Sequence, residues 1–176
     1  IVVKADGKSD YLKQSEPLMA VMGSLEDAVR VGAVAVGGSQ YFGTQREVED
    51  NERLRAIKEF ADRHHLLNIQ WAYPRGENVD NKGGKASLAA IAAAITKASS
   101  FGAHLIKLNI PEAYNPKKAV EYHEDFKHLH LGQEAALRYA LWHAQRALTG
   151  TSGGSKKSDV MVNDEDRTIK KNRLQL

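Results

Sequence analysis

Five apolar, strand-like runs recur along the chain, and their even spacing constrains the fold more than any other feature. They are IVVKAD from Ile1, GAVAVGG from Gly32, LLNIQWAY from Leu66, AHLIKLNI from Ala103 and ALTG from Ala147. Helical signals fill the gaps. Ser24-Leu25-Glu26-Asp27 reads as a capping box before a short helix ending near Gly32. Thr44-Gln45-Arg46-Glu47 reads as a second one. It opens a helix with Leu54, Ile57, Phe60 and Ala61 on one face, closed by His64 and His65. Ser87 can cap an Ala-rich helix from Leu88 to about Ser99, with Gly102 behind it, and Gln133 to about Arg146 makes a fourth helix. Strand alternating with helix at this period means parallel βα units in an α/β protein. Near-continuous apolar strands fit a parallel sheet covered on both faces.

Two architectures satisfy that pattern, a doubly wound open sheet and a (β/α)₈ TIM barrel. The open sheet is the slightly better fit to 176 residues, because a whole barrel takes about 250. No strand is followed by a dinucleotide fingerprint, since GGSQYFG lacks the required glycine spacing. With 42% hydrophobic and 27% charged residues the composition is that of one globular domain. The net charge of +3 is scattered, without the clustered cations and stacking aromatics of a nucleic-acid face, so no nucleic acid is expected. No segment has the roughly 20 apolar residues of a membrane span. The chain has no cysteine, which excludes disulfides and suits the reducing cytoplasm. IVVKADG is too short for a signal peptide and reads as a strand already under way in a longer product.

The chemistry-bearing residues sit at strand ends. Trp71 and Tyr73 are two apart in one strand and so point to one side, just before Pro74 and Gly76 break it. Lys107 lies among Leu105, Ile106 and Leu108 on the next strand. A charged amine in such a strand is costly unless it is paired or neutral. It either snorkels or pairs with a neighbour, or it is held by desolvation as a neutral amine able to attack a carbonyl. Gly150-Thr151-Ser152-Gly153-Gly154 matches G-x-S-x-G, yet the polar SKKSD that follows is a poor elbow helix. The same loop can instead offer unhindered backbone N–H groups to a phosphate, or serve simply as a glycine turn. His123, His128 and His130 have a spacing open to a metal, in a stretch that otherwise reads as a solvated loop and helix start.

The ordered set DAVRVGAVAVGGSQYFG, WAYPRG, AHLIKLNIPE and TSGG resembles the archaeal-type (DhnA-type) class I fructose-bisphosphate aldolases, over residues 1 to 159. The resemblance implies a (β/α)₈ TIM barrel, here a partial barrel covering about strands three to seven, followed by a polar tail at 160–176 of unclear origin. It implies that Lys107 forms a Schiff base with the ketose. Tyr73 would move protons, Trp71 would line the substrate site, and Ser152, Gly153 and Gly154 would hold a substrate phosphate. No cofactor or metal is implied, because the protonated imine is the electron sink. The implied reaction is reversible cleavage of fructose 1,6-bisphosphate to dihydroxyacetone phosphate and glyceraldehyde 3-phosphate, in the cytoplasm and in a homo-oligomer.

The family's first two strands, with a catalytic aspartate, find no counterpart here, nor does its eighth strand with a Gly-Arg phosphate contact. Asn109 stands where some members carry a second lysine. Three other functions stay open on these residues: an aldolase for another keto sugar phosphate, a non-catalytic sugar-phosphate binder, and a serine hydrolase using Ser152.

Overall fold

The computed structural model describes residues 1–8, 11, 14–112, 132–145 and 147–152. The strands are β1 (Val2–Lys4), β2 (Asp6–Gly7), β3 (Ala20–Val21), β4 (Ala35–Phe42), β5 (Leu67–Pro74), β6 (Leu105–Asn109) and β7 (Leu148–Ser152). The helices are α1 (Glu26–Arg30), α2 (Glu47–Arg63), α3 (Glu77–Asp80), α4 (Leu88–Ser100) and α5 (Gln133–Trp142). All five expected strands form, as a single sheet in the order β1-β4-β5-β6-β7, each pair parallel. That order decides between the two architectures. A doubly wound sheet reverses direction at a switch point. This one adds each strand beside the last, as the wall of a (β/α)₈ barrel does. The antiparallel pair of β2 and β3 is an addition the sequence did not announce.

Strand alternation gives the sheet two faces. The outer face is covered by helices. Ala72, Ile106 and Leu108 pack with Leu88, Ile91, Ala94 and Ile95 of α4 and with Ala136, Leu137 and Ala140 of α5. Val36 packs with Ile57, Phe60 and Ala61 of α2. The inner face carries a separate cluster, Ala35, Ile69 and Trp71, with Val2, Tyr73 and Leu105 against it.

Helix ends follow the sequence in part. Ser87 caps α4, its Oγ accepting from the Ala90 N–H at 3.3 Å, and Gly102 follows with φ +68°. His64 caps α2 and His65 takes φ +55° beyond it. The two capping boxes do not form. Ser24 Oγ accepts from the Glu26 N–H at 3.2 Å, two residues on instead of three, and α1 begins at Glu26. Thr44 is buried with its hydroxyl unpartnered, while Glu47 is drawn off to Lys97 of α4. The α5 helix stops at Trp142, four residues short of the expected end, with Gln145 at φ +53°.

The upper half of β4 is held by side chains. The ladder from β1 ends at Lys4↔Gly37, but β4 runs on to Phe42. Beyond that point the Ser39 and Tyr41 N–H groups donate to Asp6 Oδ2 at 2.7 Å and Asp50 Oδ2 at 2.9 Å. Arg53 Nη2 donates to the Ser39 carbonyl and, at 2.7 Å, to Asp50 Oδ1, while Nη1 pairs with Asp6. Both carboxylates have fully buried side chains. Burial pushes the Asp50 carboxyl above its usual range, against the opposing pull of Arg53 and the Tyr41 N–H.

Candidate active site

The register places the inner-face residues in rows. Gly37, Ile69, Leu105 and Leu148 pair in sequence and form an apolar floor, with Lys4 beside Gly37. The next row is Ser39, Trp71, Lys107 and Gly150. Above it, at the carboxyl ends of the strands, Tyr41 pairs with Tyr73 and Asn109 with Ser152. Trp71, Tyr73 and Lys107 therefore share one face of the sheet, with Lys107 directly across from Trp71 on a strand about 4.8 Å away.

The surroundings of Lys107 are asymmetric. On one side stands Trp71, 6% exposed. On the other lies Gly150, where an added Cβ would meet nothing within 4 Å. The glycine leaves space beside Lys107 on β7 that any larger residue would narrow. Lys107 is half-buried, and its amine has no hydrogen-bond or ion-pair partner among the described residues.

Tyr73 is half-buried at the rim. The Arg75 guanidinium lies 5.2 Å from its ring centroid and 5.8 Å from that of Tyr41, with Nη1 donating to the Pro74 carbonyl at 2.7 Å. A positive charge over two ring faces is a favourable placement. Arg75 also borders a polar cavity of about 450 Å³ with Gly76, Lys85 and Glu112. Gly76 closes the turn with φ +97°, and a Cβ there would fall 3.0 Å from Thr44 Cα, so the tight passage between two loops needs glycine.

Ser152 ends β7 at this rim. Gly153 and Gly154 lie outside the described residues, as do His123, His128, His130 and the 160–176 tail. Among the described residues no helix is long and apolar enough to cross a membrane.

Sequence reasoning missed Lys4. Its Nζ lies 5.8 Å from the Trp71 ring centroid and donates to the Asp6 carbonyl at 2.7 Å and to Asp6 Oδ1. The signal was there: in IVVKAD, as in LIKLN, a lysine directly follows apolar strand residues.

The sequence profile of the DeoC/LacD family aldolases matches residues 1–164. A class 1 fructose-bisphosphate aldolase of Halobacterium salinarum is 32% identical over 159 residues, covering 90% of this chain and 51% of the relative. A fructose-bisphosphate aldolase/6-deoxy-5-ketofructose 1-phosphate synthase of Methanocaldococcus jannaschii is 31% identical over 122 residues, 65% of this chain and 38% of its own. Among solved structures, a Schiff-base-forming fructose-1,6-bisphosphate aldolase superposes with a TM-score of 0.69 at 27% identity, over 89% of this chain and 53% of that one. An archaeal fructose-1,6-bisphosphate aldolase, its catalytic lysine covalently bound to the carbinolamine intermediate, superposes with a TM-score of 0.67 at 28% identity over the same shares. The chain spans about half the length of these relatives.

Proposed function

The chain belongs to the DeoC/LacD aldolase family, and on that premise we propose that it carries the Schiff-base centre of a class I fructose-bisphosphate aldolase. The observation that supports this best is the register of β5 against β6, which puts Lys107, whose amine has no partner among the described residues, on one face with Trp71 and Tyr73.

The chemistry runs through Lys107. Its amine adds to the C2 carbonyl of fructose 1,6-bisphosphate, and loss of water gives an iminium. Removal of the C4 hydroxyl proton breaks the C3–C4 bond. Glyceraldehyde 3-phosphate leaves as the aldehyde, and the bonding electrons pass into an enamine. Protonation at C3 and hydrolysis of the imine then release dihydroxyacetone phosphate and restore the amine. Tyr73, one strand over and above Trp71, is the acid–base group for the proton steps. Trp71 shapes the wall on the β5 side. Ser152, Gly153 and Gly154 hold a substrate phosphate. The same reading extends to the reversible split of glycolysis and gluconeogenesis in the cytoplasm, and to a homo-oligomer.

Incubation with dihydroxyacetone phosphate and borohydride, followed by peptide mass mapping, tests the assignment. A reduced adduct on Lys107 that vanishes in Lys107→Met is the expected result; absence of any lysine adduct on the intact chain overturns it. One observation favours a second substrate class. The Methanocaldococcus jannaschii relative is named for two activities, and Asn109 faces the site one position above Lys107 on the inner face. A panel of keto sugar phosphates separates the two: turnover confined to a substrate other than fructose 1,6-bisphosphate selects the second.

A further inference from the structure

Two lysines, not one, share the inner face with Trp71. Lys107 is its strand partner. Lys4 starts two strands away, beside Gly37. A Cβ at Gly37 would sit 1.8 Å from the Ile69 carbonyl oxygen, so no side chain can stand there, and the next inner residue of β4 is the small Ser39. Across this low stretch Lys4 brings its amine to 5.8 Å from the Trp71 ring centroid. Trp71 thus stands between two lysines of one face, Lys107 on the next strand and Lys4 two strands away on the other side.

The two amines are in different hands. Lys107 has no partner among the described residues. Lys4 donates to the Asp6 main-chain oxygen and to Asp6 Oδ1. Asp6 is itself fixed. Its side chain is fully buried, and Oδ2 accepts from the Ser39 N–H and from Arg53 Nη1. Arg53, 9% exposed, is in turn anchored on Asp50 at 2.7 Å. Donors converge on one carboxylate from two strands and a helix, and it has no free rotation by which to release Lys4.

We propose that Asp6, held in place by Arg53, is a specificity-determining residue: it keeps Lys4 out of carbonyl chemistry and leaves Lys107 as the imine-forming amine. The inference rests on the reading of Lys107 as the Schiff-base residue. Its physical basis is that carbonyl addition uses the nitrogen lone pair, and an amine engaged as a hydrogen-bond donor in an ion pair has none to present. Asp6→Asn keeps the shape and removes the charge that engages Lys4. The Lys4 nitrogen can then add to a ketone and lose water, and hydride from cyanoborohydride fixes the iminium as a secondary amine.

Two labelling experiments test this on the intact chain. Trapping with dihydroxyacetone phosphate and cyanoborohydride maps imine formation; reductive methylation with formaldehyde maps amine availability whatever the enzyme does. In the unaltered protein Lys4 should methylate at least about fivefold more slowly than the exposed Lys85, and the trapped adduct should sit on Lys107 with under a tenth as much on Lys4. In Lys107→Met with Asp6→Asn, the Lys4 adduct should rise about tenfold over Lys107→Met alone. Methylation of Lys4 as fast as Lys85 in the unaltered protein overturns the proposal without any variant having to fold. So does an adduct shared equally between the two lysines. A slow Lys4 that Asp6→Asn releases to formaldehyde, with no trapping at either lysine, supports the hold of Asp6 and removes the aldolase reading instead.

Discussion

Replacing Arg53 with methionine keeps most of the aliphatic stem and removes one cation from between two carboxylates. The side chains of Asp6 and Asp50 are both fully buried, and Arg53 pairs with each. Deleting one partner of a buried pair costs about 3–5 kcal/mol, because the remaining charge stays desolvated. Here two acids lose the same partner, and the Ser39 carbonyl loses a donor as well. Lys4 still faces Asp6, so the uncompensated charge is chiefly that of Asp50. At neutral pH the variant should therefore lose about 3–5 kcal/mol, a large share of the roughly 5–15 kcal/mol typical of a domain.

The pH dependence gives the sign. Burial holds the Asp50 carboxyl above its usual range, and Arg53 is the main opposing influence. For a group raised in the folded state, its contribution to stability is complete below the unfolded value, about 3.9, and is lost as pH rises through the folded value. Without Arg53 the folded value climbs further. The deficit of the variant should accordingly be smaller at about pH 5 than at about pH 7.5, because a carboxyl raised in the folded state takes up its proton there before it does in the unfolded chain. Urea denaturation followed by far-UV circular dichroism at the two pH values measures it. A deficit under about 1 kcal/mol at the higher pH, the range of an exposed pair, refutes the argument. So does a deficit that grows toward acid.

Gly37→Ala should fail to give folded protein, because its Cβ would sit 1.8 Å from the Ile69 carbonyl oxygen; a soluble variant with an unchanged melting temperature would contradict this. Gly150→Ala has open space and should fold normally, yet slow the trapping of dihydroxyacetone phosphate at Lys107, which pairs with Gly150. Ser87→Ala removes the cap of α4 and should cost about 1 kcal/mol in urea denaturation. Ile95→Ala, fully buried under the sheet, should cost about 2–5 kcal/mol in the same assay. Burial lowers the His143 value below its usual range. Its contribution is present above about pH 6.5 and lost as pH falls through the lower folded value, so His143→Gln should flatten that part of the acid limb of a thermal-shift profile.

The strands were legible because a parallel sheet covered on its outer face writes itself as apolar runs, and the alternation in NIQWAY fixed which side Trp71 and Tyr73 would share. Strand order was not legible. Spacing is the same in open sheets and barrels, and only the pairing of β1 through β7 separated them. The capping boxes misled because a local motif competes with tertiary partners: Glu47 pairs with Lys97, 50 residues away, so it cannot turn back on its own helix start. The polar group around Arg53 could not be read at all. Asp6, Asp50 and Arg53 look like ordinary surface charges in sequence, and only the early end of β1 gives two of them a backbone to serve.

That early end of β1 also bears on how copies of this chain meet. An unfinished row of backbone donors and acceptors is an invitation to another molecule's strand. Along the top of β4 the invitation has been withdrawn, since carboxylates and a guanidinium already occupy the positions an incoming strand would take. Among the described residues the two end strands of the sheet, β1 and β7, pair with no further strand on their outer sides, so an added strand would find open margins there and not along the upper half of β4.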